Sequence, residues 1–143
     1  IGGITYSPEE KEFADKIALS LGQKEADIDR ALSIQPYKEE ARAYGSTDVG
    51  DVSFVVPTVG FGTATWVPGT SAHSWQAVAA GGTTIGQKGM MVAAKTLTAT
   101  AIDLFQNKEL IKNPAIEFNN RRGKDFIYKP LLGNRPPALD YRK

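Results

Sequence analysis

The chain has no cysteine and a single histidine among its 143 residues. The first absence excludes disulfide scaffolds, thiol nucleophiles, cysteine-based zinc sites and iron–sulfur clusters together. It does not fix a compartment, and a cytoplasmic location is the default expectation. The second leaves His73 as the one imidazole able to act as base, proton shuttle or nitrogen metal ligand. An excess of one charge sign is also lacking, since 17 Lys and Arg stand against 16 Asp and Glu. A net charge of +1 supplies little of the phosphate attraction on which nucleic-acid binders depend, so no nucleic-acid partner is expected. No apolar run approaches the roughly 20 residues that cross a bilayer, and no basic stretch followed by an apolar one opens the chain. No membrane partner is expected either. The first residue is Ile1 rather than Met, as in a chain trimmed, processed or cut from something longer.

Several catalytic signatures are missing as well. Ser74 beside His73 is not a nucleophile–base pair by adjacency, and no Gly-x-Ser-x-Gly elbow occurs. The glycines at 81, 82, 86 and 89 do not form a phosphate loop with Lys88, nor is there a dinucleotide fingerprint.

What is present is a chain with 41% hydrophobic residues, long enough for one sizeable core. Ser7-Pro8-Glu9-Glu10 supplies an N-cap, a proline at the first helical position and a Glu three residues beyond the cap. Phe13, Ile17 and Leu21 follow at helical spacing and Gly22 offers a left-handed stop, predicting an amphipathic helix over 7–21. A short helix is expected over 25–33. Beyond Pro36, a polar connector resumes as helical turns over 37–43.

Residues 45–89 hold nine of the 14 glycines and only Asp48, Asp51 and Lys88 as charged side chains. Residues 51–57 fit a strand or a short helix equally. The alternation of Val59, Phe61, Thr63, Thr65 and Val67 with Gly60, Gly62, Ala64 and Trp66 predicts an extended strand ending at Pro68-Gly69. A helix is expected from a cap at Thr84 to about Asn107, with Gly86 and Gly89 weakening its first turns. Its apolar residues Met90, Ala94, Leu97, Ala101 and Leu104, widened by Val92, Ala99 and Ile102, predict a largely buried element. Asn107 can cap a segment over 108–112, and Asn113-Pro114 can start another reaching Arg122 before Gly123. The last 38 residues carry nine Lys and Arg against four Asp and Glu, net +5, interleaved with apolar residues and prolines as in a strapped-down terminus. This order of elements points to an α/β layered fold. Its few strands would have exposed edges, so self-association is expected if the chain folds alone.

The candidate functional residues lie in the glycine-rich region. His73 follows the predicted strand, where active-site side chains often sit. Asp48 and Asp51 are the only carboxylates between Glu40 and Asp103. They suit either a ligand-flanking role or turn capping shared with Ser46. One imidazole with scattered carboxylates cannot make a complete His-rich zinc site.

Four ordered motifs carry a resemblance. They are Gly45-Ser46-Thr47-Asp48-Val49-Gly50-Asp51-Val52-Ser53, Ala64-Thr65-Trp66, His73-Ser74-Trp75-Gln76, and Gly86-Gln87-Lys88-Gly89-Met90 with Ala93-Ala94-Lys95. Together they resemble the C-terminal part of the metal-dependent aminoacylase and carboxypeptidase family of amidohydrolases. The resemblance implies that residues 1–143 are the second segment of a split, zinc-peptidase-like catalytic domain, a mostly parallel sheet flanked by helices. The lid and dimerisation domain and the first catalytic segment would lie elsewhere. It implies hydrolysis of N-acyl-glutamate-type substrates such as aminobenzoyl-glutamate, with zinc or manganese in the complete enzyme and none tightly bound by this chain alone. His73 matches the family's late metal-ligating histidine. Ser46, Thr47, Asp48, Asp51 and Trp75 match pocket-lining positions, and the general base belongs to the missing first segment. Ser71-Ala72 departs from the family's usual proline-glycine approach to that histidine. The implied partner is the N-terminal catalytic segment or a separate subunit, and the chain in isolation is expected to be inactive. A structural or regulatory subunit, or a small-ligand binding domain reusing the fragment, are the alternatives.

Overall fold

The computed structural model describes residues 1, 3–37 and 45–140. The helical turns expected over 37–43 therefore fall, beyond Tyr37, outside the described residues. The chain divides into two compact units, one of Ile1–Ala41 with Gly60–Gln106 and one of Arg42–Val59 with Asn107–Lys143.

The first unit opens with α1 (Pro8–Ser20), which begins as the sequence dictates. The Ser7 hydroxyl accepts the Glu10 amide at 3.2 Å, and the Ser7 amide donates to Glu10 Oε2 at 2.6 Å, so each otherwise unpaired amide is satisfied by the other residue's side chain. Gly22, at φ +77°, ends the helix in the left-handed region that its missing Cβ permits. Ala14, Ile17 and Ala18 form the buried face. A 3₁₀ turn, Ile28–Leu32, stands where a short helix was expected and contributes Ile28 to the core. The Asp15 carboxylate holds the approach to it by accepting the Ala26 amide at 2.9 Å.

Two further helices complete this unit, α3 (Trp75–Gly81), which no sequence signal announced, and α4 (Thr84–Gln106). The core joins Tyr6, Ala14, Ile17 and Ile28 to Val67, Ala80 and Ile85. Close approach explains the two glycines near the start of α4. A Cβ on Gly86 would collide with the Gly81 backbone and one on Gly89 with the Ala64 carbonyl, so both permit contact that alanine would block. The expected cap at Thr84 is supplied instead by Thr83, whose hydroxyl accepts the Ile85 amide at 3.3 Å.

Two expectations fail here. No strand or sheet occurs among the described residues, which overturns the α/β parallel-sheet assignment. Residues 59–65 lack regular secondary structure. Alternation favours an extended backbone, but a strand is defined and stabilised by a neighbour's amides and carbonyls, and none pairs with it here. The segment's one deeply buried residue is Val67. Second, α4 is not largely buried: only Ile85, Gly86 and Gly89 are, whereas Met90, Leu97 and Phe105 are 57%, 58% and 90% exposed. No helix among the described residues is long and apolar enough to cross a membrane.

The second unit contains α2 (Val49–Ser53) and α5 (Glu109–Arg122), neither with a buried residue. The ambiguous run from residue 51 thus begins as helix. Phe54 stacks on Phe126 and Tyr128 at 5.5 and 6.0 Å between ring centres, pinning the basic C-terminal stretch at those rings. From residue 124 to 140 every other described position is exposed, so the terminus is anchored at one place rather than strapped down along its length. The two helical segments expected after Asn107 are one helix containing Pro114. The proline removes one amide donor, but its neighbours keep helical geometry. Asn107 Oδ1 accepts the Glu109 amide at 3.1 Å, and Gly123 at φ +82° stops the helix.

Candidate functional site

A short turn carries the chain from the core to His73. Val67 is buried, Gly69 takes φ +89°, and the Thr70 amide donates to the Val67 carbonyl at 3.1 Å. Ser74 then caps α3 by accepting the Ala77 amide at 3.2 Å while its hydroxyl donates to the Ser71 carbonyl at 2.7 Å. With both roles spent on backbone, this hydroxyl is a structural group. His73, immediately before the cap, has φ +58° and is the one described non-glycine residue in the left-handed region. Such a conformation costs on the order of 1 kcal/mol and persists where its surroundings enforce it.

His73 is exposed and borders a cavity of about 450 Å³ that is also lined by Trp66, Ser74, Trp75, Ala77 and Val78. The structure therefore brings together His73 and Trp75 of the sequence candidates. It adds Trp66, which the sequence offered only within an alternating pattern and as part of the Ala64-Thr65-Trp66 motif. The cavity lining includes none of Ser46, Thr47, Asp48 and Asp51. These belong to the second unit, where Thr47 Oγ1 accepts the Val49 amide at 3.3 Å and Asp48 makes no capping bond. Asp51 accepts the Tyr128 hydroxyl at 2.5 Å, and that hydrogen bond, with a small contribution from burial and the carboxylate's charge, raises the phenol's pKa above its ordinary value.

Among the described residues no three of His, Cys, Asp and Glu come close enough together to hold a metal ion. One exposed imidazole without a carboxylate companion falls short of the three or four donors of a protein zinc site. The donors among the described residues do not by themselves fit zinc or manganese.

The buried polar cluster of the first unit leaves no local trace in the sequence, because its members are far apart in the chain. Glu10 is 8% exposed and accepts Thr84 Oγ1 on one oxygen and Lys88 Nζ on the other, each at 2.6 Å. Lys88 also donates to the Thr5 carbonyl at 2.7 Å and lies 5.5 Å from the centre of the Tyr6 ring. Burial pushes the Glu10 carboxyl up, but hydrogen bonds from Lys88, Thr84 and Ser7, with the charge of Lys88, outweigh it and hold the pKa below the ordinary carboxylate value. Tyr6 moves the other way, raised by burial and by the negative charges of Glu10 and Asp29. Glu10 lies in the first turn of α1 and bonds the first residue of α4, so the positive ends of two helices share one carboxylate.

No family model and no solved structure matches the chain. It is 45% identical over 93 residues to a subunit of the p-aminobenzoyl-glutamate hydrolase of Escherichia coli (strain K12), a match that covers 65% of this chain. The chain spans about a fifth of that relative's length, the match covering 19% of it. By sequence, the chain is therefore similar to the C-terminal part of a hydrolase subunit.

Proposed function

We propose that the chain is the C-terminal part of an amidohydrolase acting on N-acyl-glutamates such as p-aminobenzoyl-glutamate, inactive alone and completed by further polypeptide. The observation carrying this reading is the 45% identity to a subunit named for that reaction. Its surface supports the need for a partner. The chain exposes 12124 Å², whereas two separate compact bodies of the units' sizes would expose about 8,600 Å². The surplus, about 3,500 Å² on this chain alone, is more than one partner's share, roughly 1,000–2,500 Å², of a permanent interface between polypeptides. Met90, Met91, Leu97, Ile102 and Phe105 of α4 are the apolar side chains such an interface would cover.

In this reading His73 is a donor that the chain contributes to a metal site whose remaining ligands, with the general base, come from the rest of the enzyme. Trp75 lines the substrate pocket beside it. Asp48 and Asp51, with Ser46 and Thr47, are pocket or scaffold positions of the assembled protein.

The test is a chimera in which this chain replaces the matching C-terminal part of the E. coli protein. The chimera, with its companion subunit present, should hydrolyse p-aminobenzoyl-glutamate and lose that activity on His73→Ala, while the isolated chain shows no turnover above its own His73→Ala control. An inactive but folded and assembled chimera would refute the reading, as would robust turnover by the isolated chain that disappears on His73→Ala.

A further inference from the structure

We propose that Trp66 and Trp75 form an aryl-binding cleft beside His73, the part of the site that selects N-aroyl over aliphatic N-acyl amino acids. The inference rests on the hydrolase reading for the identity of the amino acid, but the cleft itself is argued from the walls of the cavity.

The chain has two tryptophans and both line this one cavity. Neither is spent on the core, since Trp66 is 37% and Trp75 62% exposed. Both are nevertheless firmly mounted. Trp66 precedes Val67, which is 1% exposed, and Trp75 opens α3, anchored by the buried Ala77 and Ala80. Aromatic side chains mounted on an ordered frame offer stacking surface to an aryl ring at less ordering cost than a site the ligand must assemble.

The rest of the lining narrows the ligand's chemistry. Ala77 and Val78 are apolar, and the Ser74 hydroxyl is committed to the α3 cap and the Ser71 carbonyl. Besides the two indole N–H donors, His73 is the polar side chain left to meet a ligand. It neighbours the cavity through a left-handed backbone that most residues avoid. Two indole N–H donors and an imidazole on an otherwise apolar, doubly aromatic cavity match a flat ring bearing a hydrogen-bond acceptor, such as the carbonyl of an aroyl amide. The concavity is open to solvent, and its volume of about 450 Å³ leaves room for an aryl ring.

The tryptophans also provide the readout. Because both lie in the cleft, intrinsic fluorescence of the full chain reports on its occupancy. Titration with N-benzoyl-glutamate should give saturable quenching with a Kd at least tenfold below that of N-acetyl-glutamate, which has the same amino acid and no ring. Trp75→Ala and Trp66→Ala, shown by circular dichroism to be folded, should each weaken N-benzoyl-glutamate about fivefold or more by calorimetry, and Trp75→Phe should retain most of the affinity. Equal affinity for the two ligands, wild-type affinity in Trp75→Ala, or absence of saturable binding would overturn the proposal. The chimera separates this outcome from that of the activity. Hydrolysis of both compounds with equal kcat/KM keeps the hydrolase and removes the cleft, whereas selective binding without hydrolysis keeps the cleft and removes the hydrolase.

Discussion

Replacing Lys88 by Met tests the electrostatic link between α1 and α4. At the 2.6 Å separation of Lys88 Nζ and Glu10 Oε2, the gross attraction is about 6 kcal/mol at an effective dielectric constant of about 20. Part of it is offset by the desolvation both groups already bear, and removing one partner of a buried pair typically costs about 3–5 kcal/mol. Glu10 has an escape that limits the loss. It can take up a proton, which at pH 7 costs about 3.7 kcal/mol for a carboxyl of ordinary pKa about 4.3. Because the lysine side chain is 33% exposed, the expected destabilisation lies near the bottom of that range, about 3 kcal/mol. Urea denaturation followed by helical circular dichroism should show a midpoint lowered by about 1.5 M, taking a slope of about 2 kcal/mol per M. The pH dependence has a definite sign. The wild-type carboxyl is held below its ordinary value, so its contribution is present above the unfolded pKa and is lost as pH falls through the folded one. In Lys88→Met the carboxyl loses the hydrogen bond and charge of Lys88 and rises relative to the wild type, so acidification weakens the variant less than the wild type. The gap should therefore narrow between pH 7 and about pH 3.5, and Glu10→Gln combined with Lys88→Met should recover at least half of the loss. A midpoint shift below about 0.3 M, or a gap independent of pH, would refute the reasoning.

Four other substitutions have definite outcomes. Gly89→Ala drives a Cβ into the Ala64 carbonyl and should cost about 2 kcal/mol, whereas Gly50→Ala in α2 meets open space and should gain about 0.5–1 kcal/mol, so the same denaturation assay should return opposite signs. His73→Gly removes the left-handed penalty and should leave the chain's melting temperature unchanged or raised by about 1–2 °C, while abolishing hydrolysis by the chimera. Asp51→Asn removes the charged acceptor of the Tyr128 hydroxyl, so in a spectrophotometric titration that phenol should ionise at lower pH than in the wild type.

The sequence revealed features whose causes lie within a few residues. The Ser7–Glu10 box, the left-handed Gly22 and Gly123, and the extent of α4 each depend on local donors, acceptors and backbone freedom. Features that require a distant partner were not legible. The alternation from Val59 to Val67 records a preference for extended backbone, but not whether another strand supplies its ladder. The apolar stripe of α4 records that the helix can be covered, yet its residues past Gly89 are uncovered here. Lys88 stands out in the sequence as a rare charge and a motif residue, but nothing near it along the chain points to Glu10. At the candidate site, His73 was legible as a lone imidazole. Its left-handed backbone and the indole of Trp66 beside it emerge only from the turn at Gly69 and the start of α3.

The link between Glu10 and Lys88 spans 78 positions. At a synthesis rate of about 5–20 residues per second, α1 waits roughly 4–16 s after leaving the ribosome before its carboxylate can meet the lysine. During that interval Ala14, Ile17 and Ala18 lack their full core, because Val67, Ala80 and Ile85 have not all been made. Until then α1 has only local support, from the capping box, the Glu12–Lys16 pair and the turn at Gly22, so its apolar face is a natural early contact for a chaperone.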